Sequence, residues 1–199
     1  MNRRFVRERR RDPYYRAAQR EGLRSRAAFK LAFLADRYPI LPEGGRVLDL
    51  GAAPGGWSLV ALERVGPRGE VVSVDLRAIE PAPGLRIIHG RVGDPALRAR
   101  LGEEPFDAVL ADLSPRISGA YATDHARSIE LAGAAFELAR SCLAEDGAFV
   151  AKVFDGDLRA TLEARIRPHF ERFHRTKPAA SRETSSEIYL VGVGFLRSD

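Results

Sequence analysis

From Arg46 onward the chain alternates short apolar runs with longer mixed stretches, and this alternation constrains the fold more than any other feature. Strand-like runs occupy 46–51 (RVLDLG), 70–76, 85–90, 106–113, 147–154 and 187–196, with a further strand expected near 171–177. The early runs are nearly continuous in Val, Ile and Leu, as strands covered on both faces should be. Helical stretches lie between them at 56–65, 94–101, 124–144 and 156–168. Strands alternating with helices predict an α/β fold, a mostly parallel sheet of seven strands with helices on both faces. Ahead of this pattern, 25–38 reads as an amphipathic helix, with Ser25 as its N-cap and Pro39 as its stop. The expected division is a basic arm with a short helix at 13–21, together spanning 1–24, followed by a single domain over 25–199.

Charge is unevenly placed. Residues 1–30 hold eleven Arg or Lys and three acids, a net of +8, whereas the whole 199-residue chain is +5, so the remainder sums to −3. A basic cluster of this kind suits a polyanion, nucleic acid first. No apolar segment approaches the length of a membrane span, and no apolar stretch follows the basic start as in a secretory signal. The single cysteine, Cys142, excludes an internal disulfide and any multi-cysteine metal site. The expectation is a cytoplasmic protein. Only three of the 32 basic residues are lysines, at 30, 152 and 177. An amine can give up its proton where guanidinium effectively cannot, so each surviving lysine is a candidate for chemistry.

The stretch DLGAAPGGWS (49–58) follows the first strand and opens a helix. Ligands of doubly wound sheets sit at such strand ends. The glycine spacing is not G-x-G-x-x-G, and Gly56-Trp57-Ser58 lacks the lysine of a P-loop, so the loop is not built to cradle phosphate. The second strand ends in Asp75, whose carboxylate can accept both hydroxyls of a ribose. A glycine loop without a phosphate cradle, followed by a strand-end acid, suits S-adenosylmethionine. Further along, FDAVLADLSP sets Asp112 after an apolar strand. GAFVAKVF sets Lys152 inside one, where an amine is costly unless it is paired or lines a site. Glu187 opens the last strand and Lys30 lies on the basic helix. The four histidines are scattered and offer no metal cluster, and none is expected.

The segments SRAAFKL (25–31), LDLGAAPGGWS (48–58), VVSVDL (71–76), ADLSP (111–115), AKVF (151–154), RTKPAASR (175–182) and SSEIYLVG (185–192) together resemble the FtsJ/RrmJ family of S-adenosylmethionine-dependent ribose 2′-O-methyltransferases. The resemblance covers roughly residues 13–195. It implies a Rossmann-like methyltransferase fold and a catalytic set on Lys30, Asp112, Lys152 and Glu187. It further implies cofactor contacts at Gly55, Trp57, Asp75 and Asp112, with Trp57 walling the pocket. The implied substrate is RNA, a uridine of large-subunit (23S-type) ribosomal RNA, and the implied enzyme is a monomer. The sequence departs from the family's pattern where an acid usually follows a glycine beside the adenine. Here the pair is Gly90-Arg91, and the next acid is Asp94.

Other readings use the same residues. Methylation of tRNA or of an mRNA cap fits the same site. A base N-methyltransferase would place an aromatic soon after the fourth strand, but none occurs before Tyr121. A small-molecule O-methyltransferase needs no arginine-rich arm. A non-catalytic RNA-binding ribosome assembly factor would not need all four polar candidates.

Overall fold

The computed structural model describes residues 24–178, 180 and 185–197. The expected arm at 1–12 and short helix at 13–21 lie outside the described residues, as does part of RTKPAASR. The chain runs through α1 (Ala27–Arg37), β1 (Arg46–Leu50), α2 (Gly56–Val65), β2 (Glu70–Asp75), β3 (Leu85–His89), α3 (Pro95–Leu101) and β4 (Phe106–Ala111). It continues through α4 (Tyr121–Arg140), β5 (Leu143–Phe154), α5 (Arg159–Ile166), a 3-10 turn (Arg167–His169), β6 (Phe170–Thr176) and β7 (Glu187–Phe195).

The seven strands form one sheet in the order β3-β2-β1-β4-β5-β7-β6. Strands β1 to β5 run parallel, and β7 runs antiparallel to both neighbours. The strand order reverses between β1 and β4, which opens the crevice where ligands of such sheets lie. Both faces are covered. Helices α1 and α2 bury Leu31, Leu34, Trp57 and Val60 against one face. Helices α3, α4 and α5 bury Leu97, Phe136 and Leu162 against the other. That is why the inner strands carry few polar residues.

Some boundaries differ from the sequence reading, each for a local reason. Helix α4 begins at Tyr121 and ends at Arg140, because the chain turns at Ser141 and Cys142, and Phe106 N donates to Cys142 O. Strand β5 therefore opens at Leu143, paired with Phe106, and a register shift absorbs the acidic corner before Ala148. Helix α5 starts only at Arg159, since Leu158 N donates to a histidine ring rather than entering a helix. Ser25 is not the N-cap of α1. Arg26 holds that position, and Ser25 instead accepts Ala28 N through its carbonyl.

A buried polar chain fixes α2 to the sheet. Asp49 in β1 accepts from Ser58 Oγ at 2.6 Å, and Ser58 Oγ accepts from Ser73 Oγ of β2 at 2.8 Å. Asp49 is fully buried, and its Oδ1 has no hydrogen-bond partner among the described residues. Burial drives its carboxyl from 3.8 up to about 7. The Ser58 hydrogen bond opposes the rise, and the charges of Asp112 and Asp75 add to it. The folded protein thus holds this proton more tightly than the unfolded chain. The stabilising contribution is complete below pH 3.8 and disappears as the pH rises through about 7. We expect Asp49→Asn to remove this slope. Between about pH 4 and pH 7 the wild type should lose stability relative to the variant, read from urea midpoints at each pH.

Candidate active site

The crevice at the reversal point is a cleft of about 610 Å³, lined by Gly51, Asp75, Leu76, Arg91, Asp112 and Leu113 among others. This lies within the range of pockets that enclose a small molecule. Asp75 closes β2 with a side chain only 8% exposed. Its Oδ2 accepts from Ala53 N at 2.9 Å and its Oδ1 from Arg77 N at 2.8 Å, so the strand-end acid also holds the glycine loop. Arg77 Nε also lies 3.5 Å from Oδ1, so the acceptor site left for a ligand hydroxyl is on Oδ2.

Gly55 precedes α2 at φ 106°, in the left-handed region, and a Cβ there would fall 2.6 Å from the Arg24 guanidinium. Arg24 in turn donates to the carbonyls of Glu80 and Pro81, tying the segment before α1 to the segment after β2 across Gly55. No side chain of the described residues caps α2, so its first-turn N–H groups have no side-chain acceptor among them. Trp57 does not wall the cleft. Its indole is 2% exposed, donates to Ala27 O at 2.7 Å and lies 5.7 Å from the Tyr189 ring. The core between α1 and the sheet takes this large apolar ring because its one N–H finds a partner there.

Beside the cleft the four polar candidates converge. Lys152 and Tyr189 are register partners across β5 and β7, as are Phe154 and Glu187. Residues two apart on a strand share a face, so Lys152, Tyr189 and Glu187 point the same way, toward α1, which brings Lys30. Lys30 Nζ meets Glu187 Oε2 at 2.6 Å and lies 5.7 Å from the Tyr189 ring centre. Lys152 Nζ meets Asp112 Oδ1 at 3.1 Å, Ser114 Oγ at 3.0 Å and Asp112 O at 3.4 Å. Tyr189 OH donates to Asp112 Oδ1 at 3.1 Å. Both lysines are buried, at 4% and 5% exposure.

The charges balance. Burial by itself would raise the Glu187 carboxyl, but the Lys30 and Lys152 charges and the Lys30 hydrogen bond outweigh it and hold the group below its ordinary value. Burial and the carboxylates of Asp112 and Glu187 push the Tyr189 phenol well above its usual range, so it stays a donor. The arrangement is one buried amine with all three of its donors engaged, beside a second ion pair and next to a cleft. It can orient a hydroxyl and exchange a proton with it.

A model of the FtsJ-like methyltransferase family matches residues 23–195. The chain belongs to this family. Among its relatives, ribosomal RNA large subunit methyltransferase E of Methanothermobacter thermautotrophicus is 42% identical, covering 98% of this chain and 95% of that protein. The protein of the same description from Syntrophobacter fumaroxidans is 46% identical, covering 94% and 98%. Among solved structures, a Plasmodium falciparum protein assigned as a ribosomal RNA methyltransferase superposes with a TM-score of 0.78 at 29% identity, covering 87% of this chain and 98% of that one.

In this FtsJ-like chain, Asp94 serves as the N-cap of α3 and does not line the cleft. It accepts Ala96 N at 2.9 Å, and Arg91 itself lines the cleft. Two residues of the cluster, Tyr189 and Ser114, escape a reading of isolated motifs. The signal for Tyr189 is its position two residues beyond Glu187 on a strand, and for Ser114 its place two beyond Asp112. Among the described residues, no three His, Cys, Asp or Glu side chains group as metal ligands.

Removing Lys30 should expose what holds Glu187. The depressed carboxyl stabilises the fold above its unfolded value of 4.5, and that contribution is lost as the pH falls through the lower folded value. We expect Lys30→Met to raise the Glu187 titration point, followed by carbon NMR of labelled glutamate. Stability at neutral pH should fall by about 3 kcal/mol, read in urea from the fluorescence of Trp57, the sole tryptophan.

Proposed function

We propose that this protein transfers the methyl group of S-adenosylmethionine to a ribose 2′-hydroxyl of large-subunit ribosomal RNA, at a uridine. The observation that carries this reading is the convergence of Lys30, Asp112, Lys152 and Glu187 at the mouth of the Asp75 cleft. Relatives described as ribosomal RNA large subunit methyltransferase E support the choice of RNA. The residues fit the donor chemically. Asp75 Oδ2 has acceptor capacity for a ribose hydroxyl, and the uncapped first turn of α2 suits a carboxylate. Gly55 and Trp57 contribute through backbone at that turn. When bound, S-adenosylmethionine supplies an electrophilic methyl group on positively charged sulfur.

The chain's own residues do the rest. Asp112 and Ser114 fix the Lys152 amine. In its neutral form the amine keeps two N–H bonds to them and presents a lone pair in place of the third. That lone pair takes the 2′-hydroxyl proton as the oxygen–carbon bond forms and the carbon–sulfur bond breaks. Lys30, held by Glu187, orients the ribose or its phosphate. Tyr189 steadies Asp112 through its phenol. Much of the acceleration comes from this alignment, because the acceptor oxygen must lie in line with the methyl group. Residues 1–24 form an RNA-binding arm and residues 25–199 the methyltransferase domain. RNA affinity therefore falls steeply with salt.

Methyl transfer from labelled S-adenosylmethionine should be measured on large ribosomal subunits, protein-free ribosomal RNA and tRNA in parallel. The product should be digested to separate ribose from base methylation. We expect a 2′-O-methyl mark on ribosomal RNA. Transfer to a base, or to tRNA alone, would refute the reading. Lys152→Arg should lower kcat by roughly 10²- to 10⁴-fold, because guanidinium keeps its protons. Near-normal turnover in that variant would remove Lys152 from the role of base. Deleting residues 1–12 should weaken RNA binding and leave S-adenosylmethionine binding intact, measured by calorimetry.

A further inference from the structure

We propose that Tyr121 is a stacking platform for the base of a nucleotide next to the one that is methylated. The inference rests on the RNA-methylating function proposed above and adds a binding site to it. Tyr121 is the first residue of α4 and is 58% exposed. Its ring lies parallel to that of His125, with 6° between the planes and 6.2 Å between the centres. Its hydroxyl donates to the carbonyl of Asp155, just beyond the end of β5.

The platform is built to stay still. His125 is buried, and both ring nitrogens are engaged. Leu158 N donates to Nε2 at 3.1 Å, so Nδ1 carries the proton and donates to Phe154 O at 3.0 Å. Gly156 admits the imidazole, since a Cβ there would fall 2.8 Å from it. The 113–120 loop is fastened by Asp124, whose carboxylate accepts from Ser118 N, Ser118 Oγ and Gly119 N at 2.8 to 3.1 Å. Those hydrogen bonds hold the Asp124 carboxyl below its ordinary value. An exposed aromatic held by a fixed ring behind and a fixed hydroxyl has little freedom left to lose when a flat ligand lands on it.

The surroundings specify the ligand. Tyr121 lines a pocket of about 560 Å³ together with Asp155, Gly156, Asp157 and Ser186 among others. Arg159 also reaches this pocket, but it is engaged with Asp155 and Glu163, each at 2.6 Å. Carboxylates and carbonyls repel phosphate and accept from the amino group of a nucleobase. Cations for the phosphates are at hand: Arg116 is exposed and lines the cofactor cleft, and the exposed Arg127 donates to its carbonyl. The pocket borders the reacting centre. Asp155 N donates to Ser186 O at 2.8 Å, and Ser186 immediately precedes Glu187. Asp155 is three residues from Lys152, about 10 Å along the strand. Unstacked bases on aromatic side chains are how single-stranded RNA is held.

The test uses a ribosomal RNA fragment containing the mapped methylation site. We expect Tyr121→Ala to raise KM for RNA roughly 10- to 100-fold, more than it lowers kcat, and Tyr121→Trp to restore it to within about threefold of wild type. With 2-aminopurine placed in turn at the positions flanking the methylated nucleotide, one position should be quenched by wild type and by Tyr121→Trp, and brighten with Tyr121→Ala. An unchanged KM in Tyr121→Ala would overturn the platform. So would a loss that Tyr121→Trp fails to rescue and that tracks a lowered melting temperature, since that marks a structural role. If the wild type transfers no methyl group to RNA, the underlying function has failed, a result separable from failure of Tyr121 alone.

Discussion

The antiparallel pairing of β7 with β5 is the constraint on which the site depends. In a wholly parallel sheet the start of β7 would lie at the opposite edge from the end of β5. Reversal of this one strand sets Glu187 against Phe154 and Tyr189 against Lys152. The register of that pairing turns both β7 side chains to the face covered by α1, which delivers Lys30. A buried lysine in the middle of a sheet is a large cost when alone. Here each amine meets a carboxylate, and Tyr189 links the two pairs by touching Asp112 with its hydroxyl and Lys30 with its ring. The cluster is therefore mutually dependent. Its charges are tolerable only because the strand register brings opposites together.

A second polar network acts at the other side of the cleft. Asp49, Ser58 and Ser73 tie β1, α2 and β2, so the glycine loop between β1 and α2 is anchored at both ends. Asp75 then fixes the middle of the loop through Ala53 N. With the loop held in this way, Asp75 is placed to serve a ligand without paying to order it. The unpartnered oxygen of Asp49 is offset by its tendency to keep a proton.

Much of this was legible residue by residue. The apolar runs gave the strands to within a residue or two, except at β5. There the acidic corner at Glu145 and Asp146 hid a strand start that only the pairing of Leu143 with Phe106 reveals. The scarcity of lysine drew attention to three residues; Lys30 and Lys152 are in the cluster, whereas the exposed Lys177 donates to Ser185 O instead. Trp57 misled the reading. Its place in a ligand loop suggests a pocket wall, but an indole of that size is more stable in the core when a carbonyl can take its N–H. Tyr121 gave no sign, because an exposed tyrosine at a helix start is ordinary until the ring behind it is seen.

The sequence by itself determined the sheet, the glycine loop, the strand-end acids and the family, since hydrophobic periodicity and local motifs are properties of neighbouring residues. Tertiary structure alone decided which polar groups meet. Lys30 and Glu187 are 157 positions apart, and no local pattern encodes a 2.6 Å contact between them. Such contacts follow from strand order and register. Those are set by burial of both sheet faces at once, a condition the whole chain satisfies and no single segment can show.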